Sequence, residues 1–180
     1  MMKFRLIILL NFFLLTGYAQ ESVPKNIYEF KVPANNGNII DFAKYKGKKI
    51  LIVNTTSRDD HNHQYAELEA AYQKYKNKLV IIGFLTNDFA TPPGSKKNLS
   101  TENKIYNVTF PLASKVLVRG EDMAPVYKWL TTKKYNKLRD NEVGGDFQKY
   151  LVNEKGKLMA IFAPHDLVTS PQIVAAIEKK

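Results

Sequence analysis

The chain has 180 residues, 44% hydrophobic, 12% aromatic and 24% charged, and its 27 Lys and Arg against 17 Asp and Glu give a formal net charge of +10. That is the composition of a globular chain, outside the disordered and collagen-like classes, and a domain of this size hides roughly 70% of the surface its unfolded chain exposes. There is no cysteine, which excludes disulfides, thiolate metal sites, iron–sulfur clusters and thiol redox chemistry on this polypeptide.

Taken in chain order, residues 1–19 read as a cleaved secretory signal. Lys3 and Arg5 form a basic start, Leu6 to Leu15 is apolar apart from Asn11, and Gly17 and Ala19 are small residues flanking Tyr18. The apolar run is short of the ~20 residues that span a bilayer, and no Cys follows to carry a lipid. The expectation is an exported protein, periplasmic or extracellular, without a membrane span. Its domain covers residues 20–180, and loss of Lys3 and Arg5 leaves a charge of +8.

Tyr28 to Val32 and Ile39 to Phe42 flank Asn35-Asn36-Gly37-Asn38, whose Gly and Asn tolerate positive φ, so a hairpin is predicted. Ile50 to Val53 and Leu79 to Ile82 are continuously apolar and β-branched, the pattern of strands covered on both faces. Between them Tyr65, Leu68, Tyr72 and Tyr75 recur at helical spacing, with Asp60 or Asn62 to cap the start. Strand, helix, strand is a parallel crossover unit. Phe147 to Val152 and Lys157 to Phe162 bracket Asn153-Glu154-Lys155-Gly156 as a second hairpin. Ser170-Pro171 then opens a last helix with Ile173, Val174 and Ile177 facing in. The fold class is α/β, a mixed sheet with helices on both faces.

The basic residues, among them Lys44, Lys46, Lys48, Lys74, Lys76 and Lys78, and then Lys133, Lys134, Lys137 and Arg139, lie in separated loops and helix ends. They lack the aromatic interleaving of a single-strand binder and the pattern of a recognition helix. They read as a solvated surface, with no nucleic acid as partner.

Several ordered blocks carry a resemblance. YKGKKILIVN from Tyr45 to Asn54, QYAELEAAYQKYKNKLVIIGF from Gln64 to Phe84 and VTFPL from Val108 to Leu112 are similar to segments of the glutathione peroxidase family, which has a thioredoxin-like fold. PVYKWL from Pro125 to Leu130 and FQKYLVNEKGKL from Phe147 to Leu158 continue the likeness, which spans nearly everything from Ile27 to Ile177. The resemblance implies a peroxidatic Cys or Sec that reduces a hydroperoxide, assisted by Gln, Trp and Asn. Here the run Asn54-Thr55-Thr56-Ser57-Arg58 leads to Asp59 where the nucleophile belongs. Asn87-Asp88-Phe89 stands for Asn-Gln-Phe, and Gly145-Asp146-Phe147 for Trp-Asn-Phe. All four positions are changed.

An aspartate oxygen cannot accept the peroxide oxygen and return it to a thiol, because that cycle needs a thiolate or selenolate. Met123 and Met159, the sulfurs remaining beyond the signal, read as core filler. Thiol-type peroxidase activity is therefore not expected. The role implied is a non-catalytic binding or scaffold protein with an unidentified ligand or partner; the alternative is a hydroperoxide-reducing peroxidase of the family acting under oxidative stress.

If the family geometry holds, Asp59, Asp88 and Asp146 converge and repel unless a cation compensates. Arg58 and Lys149 are one source. A divalent ion is the other, with Asn87 or a loop carbonyl completing oxygen ligation for Ca²⁺ or Mn²⁺, and His61 or His63 shifting the choice toward Zn²⁺ or Mn²⁺. Against the ion stands simple drift of solvent-facing loop positions to polar residues. His165 beside Asp166 reads as a surface pair. Acid–base hydrolysis is a third class, but the loop has no Ser nucleophile flanked by a base, and Gly144-Gly145-Asp146 is too short for a phosphate cradle.

Overall fold

The computed structural model describes residues 23–56, 62–89 and 108–179. Two side-chain caps decide where the first hairpin stops. Asn26 accepts from the Tyr28 N–H and Asp41 from the Ala43 N–H, each at 3.0 Å, and each starts a short 3-10 turn, Ile27–Glu29 and Phe42–Tyr45. The strands expected over residues 28–32 and 39–42 are therefore cut to β1 (Lys31–Pro33) and β2 (Ile39–Asp41), paired antiparallel around Gly37 at φ +84°.

The centre is built as the apolar runs predict. β3 (Lys49–Thr55) and β4 (Leu79–Leu85) are buried at every position and run parallel in register from Lys49↔Leu79 to Thr55↔Leu85. β5 (Leu112–Ala113), β6 (Lys149–Val152) and β7 (Leu158–Phe162) complete a mixed sheet of order β5-β4-β3-β6-β7, with β6 antiparallel to β3 and β7 antiparallel to β6. β5 reaches β4 at Gly83, where any Cβ would collide with the Leu112 side chain.

Helices cover both faces, as expected for a thioredoxin-like α/β fold. The helix α1 (Asn62–Tyr75) presents Tyr65, Leu68 and Tyr75, and they pack with Leu51, Val53 and Ile81. The half-buried Tyr72 meets the Phe110 ring edge-on at 6.1 Å between centroids. On the other face α2 (Pro125–Thr131), followed by α3 (Lys133–Asn136), packs Val126, Tyr127 and Leu130 against Ile50, Ile52 and Phe84. The last helix, α4 (Pro171–Glu178), returns to the α1 side with Ile173 and Ile177 buried.

Three local expectations are corrected. Asn62 is the first residue of α1 rather than the residue before it, and Asp60 lies outside the described residues. Ser170 caps α4 and Pro171 opens its first turn, as expected, with the Ser170 backbone carbonyl accepting from the Ile173 and Val174 N–H groups. Val174 itself is half-buried. The second hairpin begins at Lys149, because Phe147 turns away at φ +64° and donates its N–H to the Asn54 carbonyl at 2.7 Å. Finally, the lysines of residues 44–48 and 74–78 are not scattered: Lys48 Nζ donates to the Lys76 carbonyl at 2.9 Å, at the end of the sheet where β3 starts. Among the described residues no helix is long and apolar enough to cross a membrane.

Candidate functional site

Because β3 and β4 are parallel, their C-terminal ends open on one sheet edge, the place where open α/β sheets gather ligands. The two strands stay tied past their last pair by the Thr86 N–H donating to the Thr55 carbonyl at 2.9 Å. Asn87, Asp88 and Phe89 follow β4 at this edge, and the loop of Gly145, Asp146 and Phe147 enters it just before β6.

Asn54 at the end of β3 fixes that loop. Its Nδ2 donates to the Gly145 carbonyl at 2.7 Å, and its own carbonyl accepts from the Phe147 N–H. Phe147 is held in the left-handed region, a strained place for a residue with a Cβ, by that bond and by an edge-on contact with the Tyr65 ring at 5.2 Å. Tyr65 in turn donates its hydroxyl to the Thr56 carbonyl at 2.8 Å. Asp146 is buried, 8% exposed. Gly145 lies against Pro164, where an added Cβ would come within 3.2 Å of the ring. A Trp, which the resemblance implies there, would press on that wall.

Asp88 is half-buried on the β4 side. Its Oδ2 accepts from the Val118 N–H at 2.6 Å, and its carbonyl accepts from the Arg119 guanidinium at 2.8 Å, which lies 4.5 Å from the Phe89 ring centroid. One carboxylate oxygen is thus committed to the backbone.

The sequence reading offered Lys149 as a partner for the acids, and the structure corrects this. Lys149 is fully buried, and its Nζ donates to the Phe147 carbonyl at 2.6 Å, to Gln64 Oε1 at 3.0 Å and to the Pro164 carbonyl at 3.3 Å. Among the described residues it has no carboxylate within 4 Å. Burial therefore pushes its pKa down to about 8, with the more distant Asp166 and Glu67 carboxylates opposing. The ammonium ties the loop before β6, the first turn of α1 and the Pro164 turn into one unit. Sequence reasoning missed this role, and missed Gln64 and Asn54 as holders of the loop. The available signal was a lysine inside the apolar run of β6.

Gly145 and Asp146 are brought onto β3 and Asp88 onto the end of β4. Arg58, Asp59 and His61 lie outside the described residues. His63 is exposed on the first turn of α1. His165 is exposed, with Nε2 3.9 Å from Asp166, the surface pair expected. Among the described residues no three acidic or His side chains stand close enough to hold a metal ion. Met123 accepts from the Thr131 hydroxyl at 3.7 Å, and it and Met159 pack half-buried against the core.

A profile of the glutathione peroxidase family matches residues 27–131. The chain is similar to glutathione peroxidase homolog BsaA of Staphylococcus aureus, 35% identical over 158 residues that cover 86% of this chain and 98% of the relative. It is 38% identical to a probable phospholipid hydroperoxide glutathione peroxidase of Mesembryanthemum crystallinum over 160 residues, 87% of this chain and 90% of the relative. Among solved structures it superposes on Trgpx in its apo form with a TM-score of 0.65 at 32% identity, covering 86% of this chain and 97% of the other. A thioredoxin-family thiol:disulfide interchange protein from Chlorobium tepidum shares the fold, with a TM-score of 0.59 at 12% identity over 82% of this chain and 92% of the other.

Proposed function

The chain belongs to the glutathione peroxidase family, and from that premise we propose that it is a member without thiol peroxidase chemistry, acting as a non-catalytic binding or scaffold protein. The observation that carries the reading is the complete absence of cysteine, with Asp59 at the position to which the resemblance assigns the redox atom. Peroxide reduction transfers one oxygen to a thiolate or selenolate and needs a thiol to remove it as water. A carboxylate carbon has no such oxidation step to offer. What supports retention of the scaffold is that the loop at the β3 end stays tied down through Asn54 and Lys149 although the side chains it would present are gone.

The reading includes export, supported by the basic, apolar and small-residue sequence of residues 1–19. It also includes a divalent ion, for which Asp59, Asp88, Asp146 and His61 offer oxygen and nitrogen donors. The purified, metal-depleted protein, given hydrogen peroxide or a lipid hydroperoxide with glutathione or thioredoxin, should turn over no faster than buffer. Sustained turnover would restore the alternative, a hydroperoxide-reducing enzyme. A thermal-shift series with Ca²⁺, Mn²⁺ and Zn²⁺ tests the ion separately: a raised melting temperature supports it, and no shift with any of the three removes it.

A further inference from the structure

We propose that the protein docks on anionic phospholipid bilayers through a lysine-rich pole at the end of the sheet opposite the candidate site. Three segments far apart in sequence meet there. Lys48 Nζ bonds the Lys76 carbonyl, and the ammonium groups of Lys74 and Lys78 both lie over the Tyr75 ring, at 5.0 and 5.1 Å from its centroid. Lys46 lies 5.7 Å from the Tyr28 ring centroid, and Tyr28 donates its hydroxyl to the Glu154 carbonyl at 2.8 Å. The third segment joins through this tyrosine. Lys155 and Lys157 flank Gly156, whose Cα faces Tyr28 so closely that a Cβ would lie 2.6 Å from the ring.

Of the carboxylates bonded into this region, one is neutralised by a buried cation and one is held by a neutral hydroxyl. Glu154 pairs at 3.0 Å with the buried Lys49, and Glu178 accepts from the Tyr75 hydroxyl at 3.0 Å. Among the described residues, none of these exposed or half-exposed lysines has a carboxylate within 4 Å. Like charges so grouped repel one another, and a phosphate-bearing surface relieves them.

The chemistry of the pole favours a bilayer over a nucleic acid. Every cation in it is a lysine, a compact charge without the planar fork that reads base edges. Its aromatic rings face ammonium groups, and Tyr75 is 6% exposed, so it gives no platform for stacking a base. Each lysine near an anionic lipid surface multiplies partition by roughly five-fold at moderate salt. The pole lies apart from Asp88 and Asp146, so docking there is independent of the loss of thiol chemistry.

Sedimentation of residues 20–180 with vesicles of one part phosphatidylglycerol to two parts phosphatidylcholine should show binding at about 0.02 M salt, absent with phosphatidylcholine alone and abolished near 0.5 M. Replacing Lys46, Lys76, Lys155 and Lys157 by Gln should lower partition at least about twenty-fold. Replacing Lys133, Lys134, Lys137 and Arg139 by Gln, an equal loss of charge on another segment, should change it less than about two-fold. Should the first variant melt early, Lys155→Gln with Lys157→Gln, whose side chains make no bond among the described residues, carries the test. No binding to the anionic vesicles, an equal loss in both quadruple variants, or tighter binding to duplex DNA than to the vesicles overturns the proposal.

Discussion

Each end of the central sheet buries a lysine, and the two ends treat it differently. At the pole, Lys49 opens β3 with its ammonium 3.0 Å from Glu154 and bonded to the carbonyls of Ile177, at 3.0 Å, and Lys179. At the site edge, Lys149 opens β6 and meets only neutral oxygens, two of them carbonyls of loops that border the site. The cost of burying a cation is offset by a countercharge at one end and by dipoles alone at the other. The pole end is thus a clasp that closes the last helix onto the sheet. The site end stands on a charge whose protonation is poised near neutrality and whose carbonyl partner, Phe147, is itself strained.

The contrast is broken most directly at Lys149. Lys149→Met leaves the Phe147 carbonyl and Gln64 Oε1 without this donor, while the Pro164 carbonyl keeps the Gln64 Nε2 donor at 3.4 Å, and should cost about 2–4 kcal/mol of stability at pH 7 by chemical denaturation. The pH dependence carries the sign. The folded-state value near 8 lies below the ordinary 10.5, so the folded protein releases this proton first and its penalty is fully present below about pH 8. Stability contributed by Lys149 then rises with pH toward 10.5. The gap between wild type and Lys149→Met should widen by about 2 kcal/mol from pH 7 to pH ~9.5. A flat gap would mean that the cation is compensated after all.

The sequence shows why one end was readable and the other was not. β3 and β4 were legible because runs such as Ile50 to Val53 are apolar on both faces, a pattern that few alternatives share. The ends of the hairpins were not, since Asn26, Asp41 and the Phe147 N–H spend their bonds locally or across to β3, and residue type alone does not say which. Asp88, Gly145 and Asp146 were picked out through the ordered family blocks; their separation along the chain contains nothing about a shared sheet edge. Lys149 reads in the sequence as a cation for carboxylates, because two of its three partners are backbone carbonyls, which carry no signal in residue identity, and the third is the neutral amide of Gln64. The lysines of residues 44–48, 74–78 and 155–157 looked dispersed for the same reason: only the crossover from β3 through α1 to β4, with the β6–β7 turn beside it, brings them to one end.

A smaller effect is expected at the pole. Lys49→Met removes the donor to Ile177 and Lys179 and frees Glu154, which is partly in water, so about 1–2 kcal/mol should be lost. The loss should be accompanied by fraying of α4, visible as faster amide exchange at its last turn. Amide exchange unchanged in α4 would show that the clasp holds something other than the helix.

The finest discrimination comes from the countercharge itself. The Glu154 side chain is 43% exposed, so Glu154→Gln should cost only about 0.5 kcal/mol at neutral pH. The carboxyl is held below its ordinary value by its own backbone N–H and, against some desolvation, by Lys49. A carboxylate lowered in this way contributes stability above its unfolded-state pKa and loses it as the pH falls through the folded-state value. The difference between wild type and Glu154→Gln should therefore vanish as the solution becomes acid enough to protonate Glu154. Were the difference to persist there, hydrogen-bond geometry rather than charge would be what separates Lys49 from Lys149, and the two ends of the sheet would be alike in their electrostatics.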